Sequence, residues 1–230
     1  MKEKFILNNY KYLFFDLFHT LTSPGNITCS DYEWNYINVS KNTWITHSMN
    51  TYKERSLGLI SDPQEIVFNI AKSIGINVDN KTLIKMTNIR INRFKKCLSI
   101  INKSIQETLN ELVNRKYRLC LISNADIIDI QGWADSPISK YFEQAIFSCN
   151  VGTAKPDSKI YRIAINAMNA KFNEMLFIGD GGSDEFIGAK ENSMDTMITT
   201  EFIKDTWPEK IKDLKVNADY SISNLKELLN

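Results

Sequence analysis

Short apolar runs alternate along this chain with stretches of helical period. Tyr12-Leu-Phe-Phe-Asp16 is a continuous apolar run that stops at a carboxylate, the pattern of a strand buried on both faces. The runs over 118–123, 144–149, 175–180 and 195–199 have the same character. Between them, residues 103–116 place Ile105, Leu109, Leu112 and Val113 on one stripe, and residues 157–168 do so with Ile160, Ala164 and Ala167. Strands alternating with helices of this length predict βαβ units and a parallel sheet. Tyr220-Ser-Ile-Ser and residues 225–229 predict one more strand and helix.

Residues 22–101 break the rhythm and read as helices only. One helix is well punctuated: Asp62 as N-cap, Pro63 at the first helical position, Glu65 three residues after the cap, and Gly75 at the end. Ile66, Ile70, Ala71 and Ile74 give it an apolar face, and a second helix is predicted over 81–98. The expectation is an α/β protein, a Rossmann-like doubly wound parallel sheet built from 1–21 and 102–230, with an α-helical cap domain inserted at 22–101.

A length of 230 residues suits such a core with one inserted unit, and 43% apolar with 24% charged residues excludes a disordered chain. With a net charge of +1 and no basic stripe, neither nucleic acid nor an anionic membrane is an expected partner. No run approaches the ~20 apolar residues of a membrane span, and residues 1–10 lack a signal-peptide core. Cys29, Cys97, Cys120 and Cys149 are scattered without a C-x-x-C pattern, which reads as free thiols in a reducing cytoplasm.

Four stretches carry chemistry, three of them at the ends of predicted strands, where open α/β sheets collect ligands. Asp16-Leu-Phe-His-Thr20 offers a nucleophilic carboxylate, although a carboxylate at a loop end also serves as an N-cap. Ser123-Asn124 offers a hydroxyl and an amide that can hold an anionic oxygen. Lys155-Pro156 places an ammonium before a helix that Asp157 or Ser158 would cap. Gly179-Asp-Gly-Gly-Ser-Asp184-Glu185 joins a glycine-permitted turn to three acidic groups that suit a hard cation.

Asp16–Thr20, Ser123, Lys155 and Gly179–Asp184 resemble, in order and position, the four motifs of the haloacid dehalogenase-like hydrolases, and the inserted helical segment resembles their helical cap of the first type. The resemblance spans residues 12 to about 194. It implies that Asp16 attacks and forms a covalent aspartyl intermediate, with Ser123 and Lys155 holding the transferring group. It also implies a Mg²⁺ site built by Asp16, Asp180, Asp184 and the backbone carbonyl of Phe18. Thr20, Asn124, His19 and, in the cap, Arg55 are the candidate substrate contacts.

Phe18 departs from the phosphatases of that superfamily, which carry a second aspartate two residues after the nucleophile. That group protonates the leaving oxygen, and such help is typically worth ~10²–10⁴ in rate. The expected activity is Mg²⁺-dependent hydrolysis of a small phosphorylated metabolite through an aspartyl-phosphate, by a monomer or homodimer. The alternatives are a 2-haloacid dehalogenase-like carbon–halogen hydrolase using Asp16, or a pseudo-enzyme that binds a ligand or protein.

Overall fold

The computed structural model describes residues 6–230. Strands β1 (Tyr12–Phe15), β2 (Arg118–Ser123), β3 (Gln144–Phe147), β4 (Met175–Gly179), β5 (Asp195–Thr199) and β6 (Tyr220–Ile222) form one sheet. Its order is β3-β2-β1-β4-β5-β6, and every pairing is parallel. All carboxyl ends therefore lie along one edge. The order reverses at β1, flanked by β2 on one side and β4 on the other, so the crevice that binds ligands in such sheets opens beside the end of β1.

Side chains alternate across the sheet and form two buried clusters. Leu13, Phe15, Leu119, Leu121, Leu176 and Ile178 face one side, covered by Ile105, Leu109 and Leu112 of α5 (Lys103–Asn114). Phe14, Cys120, Ile122 and Phe177 face the other. They are covered by Ile160, Ala164 and Met168 of α7 (Ser158–Met168) and by Phe186 and Ala189 of α8 (Glu185–Glu191). Burial on both faces is why these strands read as unbroken apolar runs.

Between β1 and β2 the chain inserts α1 (Lys41–Asn50), α2 (Tyr52–Ser56), α3 (Pro63–Ser73) and α4 (Asn80–Ser99), followed by α5. Trp44, Ile66, Val67, Ile70, Ala71, Met86 and Phe94 make a third cluster there, and Ile128 from the loop after β2 joins it. The Asp62 carboxylate accepts the Glu65 N–H at 2.8 Å, with Pro63 in the first turn, as its sequence signature predicts. Before α1 the segment is not wholly helical: short 3₁₀ turns (Pro24–Asn26 and Glu33–Tyr36) punctuate extended chain. The strand predicted over 144–149 stops at Phe147, where the short helix α6 (Ser148–Val151) begins. Residues 225–229 form a 3₁₀ helix.

Candidate active site

Asp16 stands one residue past β1, and its N–H still reaches Ile178 in β4 at 2.9 Å, which extends the sheet to the nucleophile candidate. Its side chain is only 6% exposed. Thr20, four residues on in a non-helical turn, donates its hydroxyl to Oδ2 of Asp16 at 3.0 Å. Lys155 donates to Oδ1 of Asp16 at 2.5 Å and to Oε2 of Glu185 at 2.6 Å from the same ammonium. The two donors fix the rotation of the Asp16 carboxylate.

The turn after β4 explains which acids join this group. A Cβ on Gly179 would collide with the Glu185 carboxylate, so glycine is required for that side chain to lie back over the strand end. Oε1 of Glu185 accepts the Gly181 N–H at 2.8 Å, and Oδ1 of Asp180 accepts the Gly182 N–H at 3.0 Å. Tyr161 anchors the start of α8 by donating to the Glu185 carbonyl at 2.7 Å. Asp16, Asp180 and Glu185, all buried, offer oxygens within 4.8 Å of one another. Ser183 and Asp184 both take left-handed backbone, with φ of 54° and 50°, and Asp184 ends exposed. The structure thus brings Glu185 to the acidic group where the sequence reading had Asp184. The clue lay in the sequence: Glu185 opens a helix whose amphipathic face includes Phe186 and Ala189, which sets it on the core side.

Burial, reinforced by repulsion from Asp16, pushes the Asp180 carboxyl up to about 6. Glu185 is pushed up to about 8, again chiefly by burial, with Lys155 opposing and Asp16 and Asp180 adding to the rise. Burial works against the Lys155 charge too, but Asp16 and Glu185 outweigh it and hold the ammonium above its ordinary value. Three carboxylates therefore face one ammonium, and when all are ionised two negative charges are left in excess. That donor set suits a metal ion with a preference for oxygen.

The other expected site residues fall into two groups. Ser123 is buried at the end of β2, and the Asn124 carboxamide bonds the backbone of Lys155 on both sides, which makes it a support of the lysine. Phe18 is half-buried and meets Phe94 of α4 edge-on, with ring centroids 5.8 Å apart. His19 has φ of 64°, pairs through Nδ1 with the Ser23 hydroxyl at 3.0 Å, and packs its ring 4.6 Å from Trp207. Burial lowers the His19 pKa, and Asp16 offsets part of that. Arg55 is 2% exposed and already engaged: it donates to Asp126, and to the Ser48 carbonyl and hydroxyl at 2.8 and 2.9 Å. Asp126 and Asp129, which pair with Arg55 and Arg90, were not singled out from sequence; their only signal is two acids set three residues apart in an otherwise apolar loop.

A doubly wound parallel sheet, an acidic group at its switch point and helices inserted after the first strand define a class: α/β proteins with a carboxylate-rich crevice at the strand ends. The chain belongs to the haloacid dehalogenase-like hydrolase family, which it matches over residues 10–191. Among curated proteins it is 25% identical over 167 residues to a glyceraldehyde 3-phosphate phosphatase of Methanothermobacter thermautotrophicus, covering 70% of this chain and 73% of that one. It is 30% identical over 89 residues to the bifunctional epoxide hydrolase 2 of Rattus norvegicus, 36% of this chain, and spans just 16% of that protein's length. The fold is shared with the L-2-haloacid dehalogenase of Xanthobacter autotrophicus, with a TM-score of 0.68, 15% identity and 95% and 96% of the two chains covered. It is shared as well with a family enzyme of Bacteroides thetaiotaomicron solved with magnesium and inorganic phosphate, with a TM-score of 0.61, 21% identity and 81% and 92% covered. No helix among the described residues is long and apolar enough to cross a membrane.

Proposed function

We propose that this chain is a Mg²⁺-dependent phosphatase of small phosphorylated metabolites, with Asp16 as the nucleophile. The observation that carries the reading is the buried group of three acids, Asp16, Asp180 and Glu185, beside a single lysine, which when all are ionised leaves two negative charges in excess. A divalent cation balances that excess. The glyceraldehyde 3-phosphate phosphatase likeness supports the same substrate class. Asp16, Asp180 and Glu185, with the Phe18 carbonyl, would hold Mg²⁺, which when bound neutralises the approach of one anion to another. An oxygen of Asp16 forms a bond to phosphorus as the bond to the leaving oxygen breaks and that oxygen keeps the electron pair. Water then attacks the aspartyl-phosphate and releases phosphate and Asp16. Lys155 holds the charge that develops on the transferring group, and Thr20 and Lys155 keep the Asp16 carboxylate in one orientation. Phe18 supplies no proton, so substrates with a good leaving group are favoured.

Phe18 is also the observation behind a second reading, a carbon–halogen hydrolase, because a departing halide needs no proton. One assay separates the two: phosphate release from glyceraldehyde 3-phosphate and acetyl phosphate, and halide release from 2-haloacids, each with Mg²⁺ and with EDTA. The expected result is phosphate release abolished by EDTA. Halide release that survives EDTA, with no phosphate release, would replace the phosphatase reading by the second.

A further inference from the structure

The loop that follows Asn124 is a wedge between two bodies of the fold. Ile128 is fully buried and belongs to the cluster of Trp44, Ile66 and Met86, so this part of the core loop sits inside the apolar centre of the inserted helices. Around it lie four charges. Asp126 accepts from Arg55 of α2 and, at 3.2 Å, from Arg90 of α4; Arg90 also reaches Asp129 at 3.1 Å. Both arginines and both aspartates are buried. The other oxygen of Asp126 accepts the N–H groups of Ile128 and Asp129 at 2.8 and 3.0 Å, so the carboxylate that binds the arginines also folds its own loop. The Arg55 guanidinium rests 4.7 Å from the centre of the Tyr52 ring.

Two residues before Asp126, the Asn124 carboxamide holds Lys155 by its N–H at 2.7 Å and its carbonyl at 2.9 Å. A continuous set of contacts thus runs from the inserted helices through residues 124–129 to the ammonium on Asp16. We propose that the Arg55–Asp126–Arg90–Asp129 cluster is a latch that holds the inserted helices on the core, and that Asp126 is a positioning residue which transmits their seating to Lys155. The helices cannot lift without withdrawing Ile128 from their core or dragging the loop that supports Asn124. Lifting the helices would part the arginines from the aspartates and leave buried charges uncompensated, so the cluster opposes that movement. The inference rests on packing and is independent of which substrate the site accepts.

Two cysteines make the test. Cys149 in α6 lies at the seam, where a Cβ on Gly58 would strike its carbonyl; Cys120 lies in β2, fully buried in the sheet. The variant is R55K/R90K, which keeps both charges, and so the field at Cys149, but loses the planar forks that grip Asp126. Iodoacetamide labelling, resolved by peptide mass spectrometry, should run at least about tenfold faster at Cys149 and unchanged at Cys120. Hydrogen exchange of the Lys155 amide should accelerate with it, while the amides of β1 keep their protection. Asp126→Asn, followed by the same amide exchange, gives a second reading free of any change in thiol ionisation. Equal acceleration at Cys149 and Cys120 means the cluster merely supports the global fold, and unaltered Cys149 labelling and Lys155 exchange mean there is no latch; either result overturns the proposal. Neither outcome touches the phosphatase reading, which fails or stands on the EDTA-sensitive phosphate assay.

Discussion

The Asn124 carboxamide grips Lys155 by the main chain, accepting its N–H at 2.7 Å and donating to its carbonyl at 2.9 Å. The grip aims an ammonium whose side chain is 2% exposed at two carboxylates. Asn124→Ala leaves both backbone groups without a protein partner, so it should cost about 1–3 kcal/mol in urea unfolding. It should also cut turnover more than it raises KM, since the lysine acts on developing charge. Unchanged stability and turnover would falsify the support role.

Asp16→Asn should lower turnover by at least about a thousandfold, because the amide has no anionic oxygen to bond phosphorus. Its stability should not fall. One of three mutually repelling carboxylates disappears, and Lys155 keeps Glu185 at 2.6 Å. Kinetics and melting of the same sample check both halves, and a clear drop in Tm contradicts the charge argument.

Glu185→Gln should weaken Mg²⁺ binding roughly tenfold or more, whereas Asp184→Asn should leave it nearly unaltered. The first removes a buried anion of the acidic group; the second neutralises an exposed side chain outside it. Isothermal titration with Mg²⁺ decides, and the reverse ranking would return Asp184 to the site.

Mg²⁺ binding should strengthen with pH. Asp180 and Glu185 are raised to about 6 and about 8 in the metal-free fold, so the folded chain holds these protons more tightly than the unfolded one. Their stabilising effect is complete below the ordinary carboxylate range and is lost as pH climbs through those two values. Mg²⁺ binds the ionised carboxylates and displaces the protons. Melting scans at fixed Mg²⁺ should therefore show a ligand-induced rise in Tm that grows from about pH 5 to about pH 9. A flat rise across that range contradicts the assignment of both acids as ligands.

Phe18→Asp should raise the hydrolysis of alkyl phosphates far more than that of acetyl phosphate, because a new carboxyl can protonate a poor leaving group. It also removes an aromatic from contact with Phe94, so a stability loss of roughly 3 kcal/mol accompanies it. Equal rate changes for good and poor leaving groups in a folded variant would count against the missing-acid account.

The frame of the molecule is legible in the order of its residues. Apolar runs ending at Asp16, Ser123 and Asp180, with helical stripes between them, are local patterns, and burial on both faces of a parallel sheet is what writes them. The same reasoning placed Lys155 before its helix and Asp62 at its cap. Tertiary structure decided which groups meet. Asp184 and Glu185 are adjacent, and two left-handed residues turn one outward and leave the other over Gly179, a matter of backbone angles that composition does not encode. Arg55 reads as a free cation in the sequence, but its partner Asp126 is 71 residues away. Phe18 reads as a missing acid, and only the packing of α4 shows it as part of the contact between the inserted helices and the core. Periodicity records the side of an element that is buried; pairing between distant charges depends on how the elements are docked, and that is settled in three dimensions.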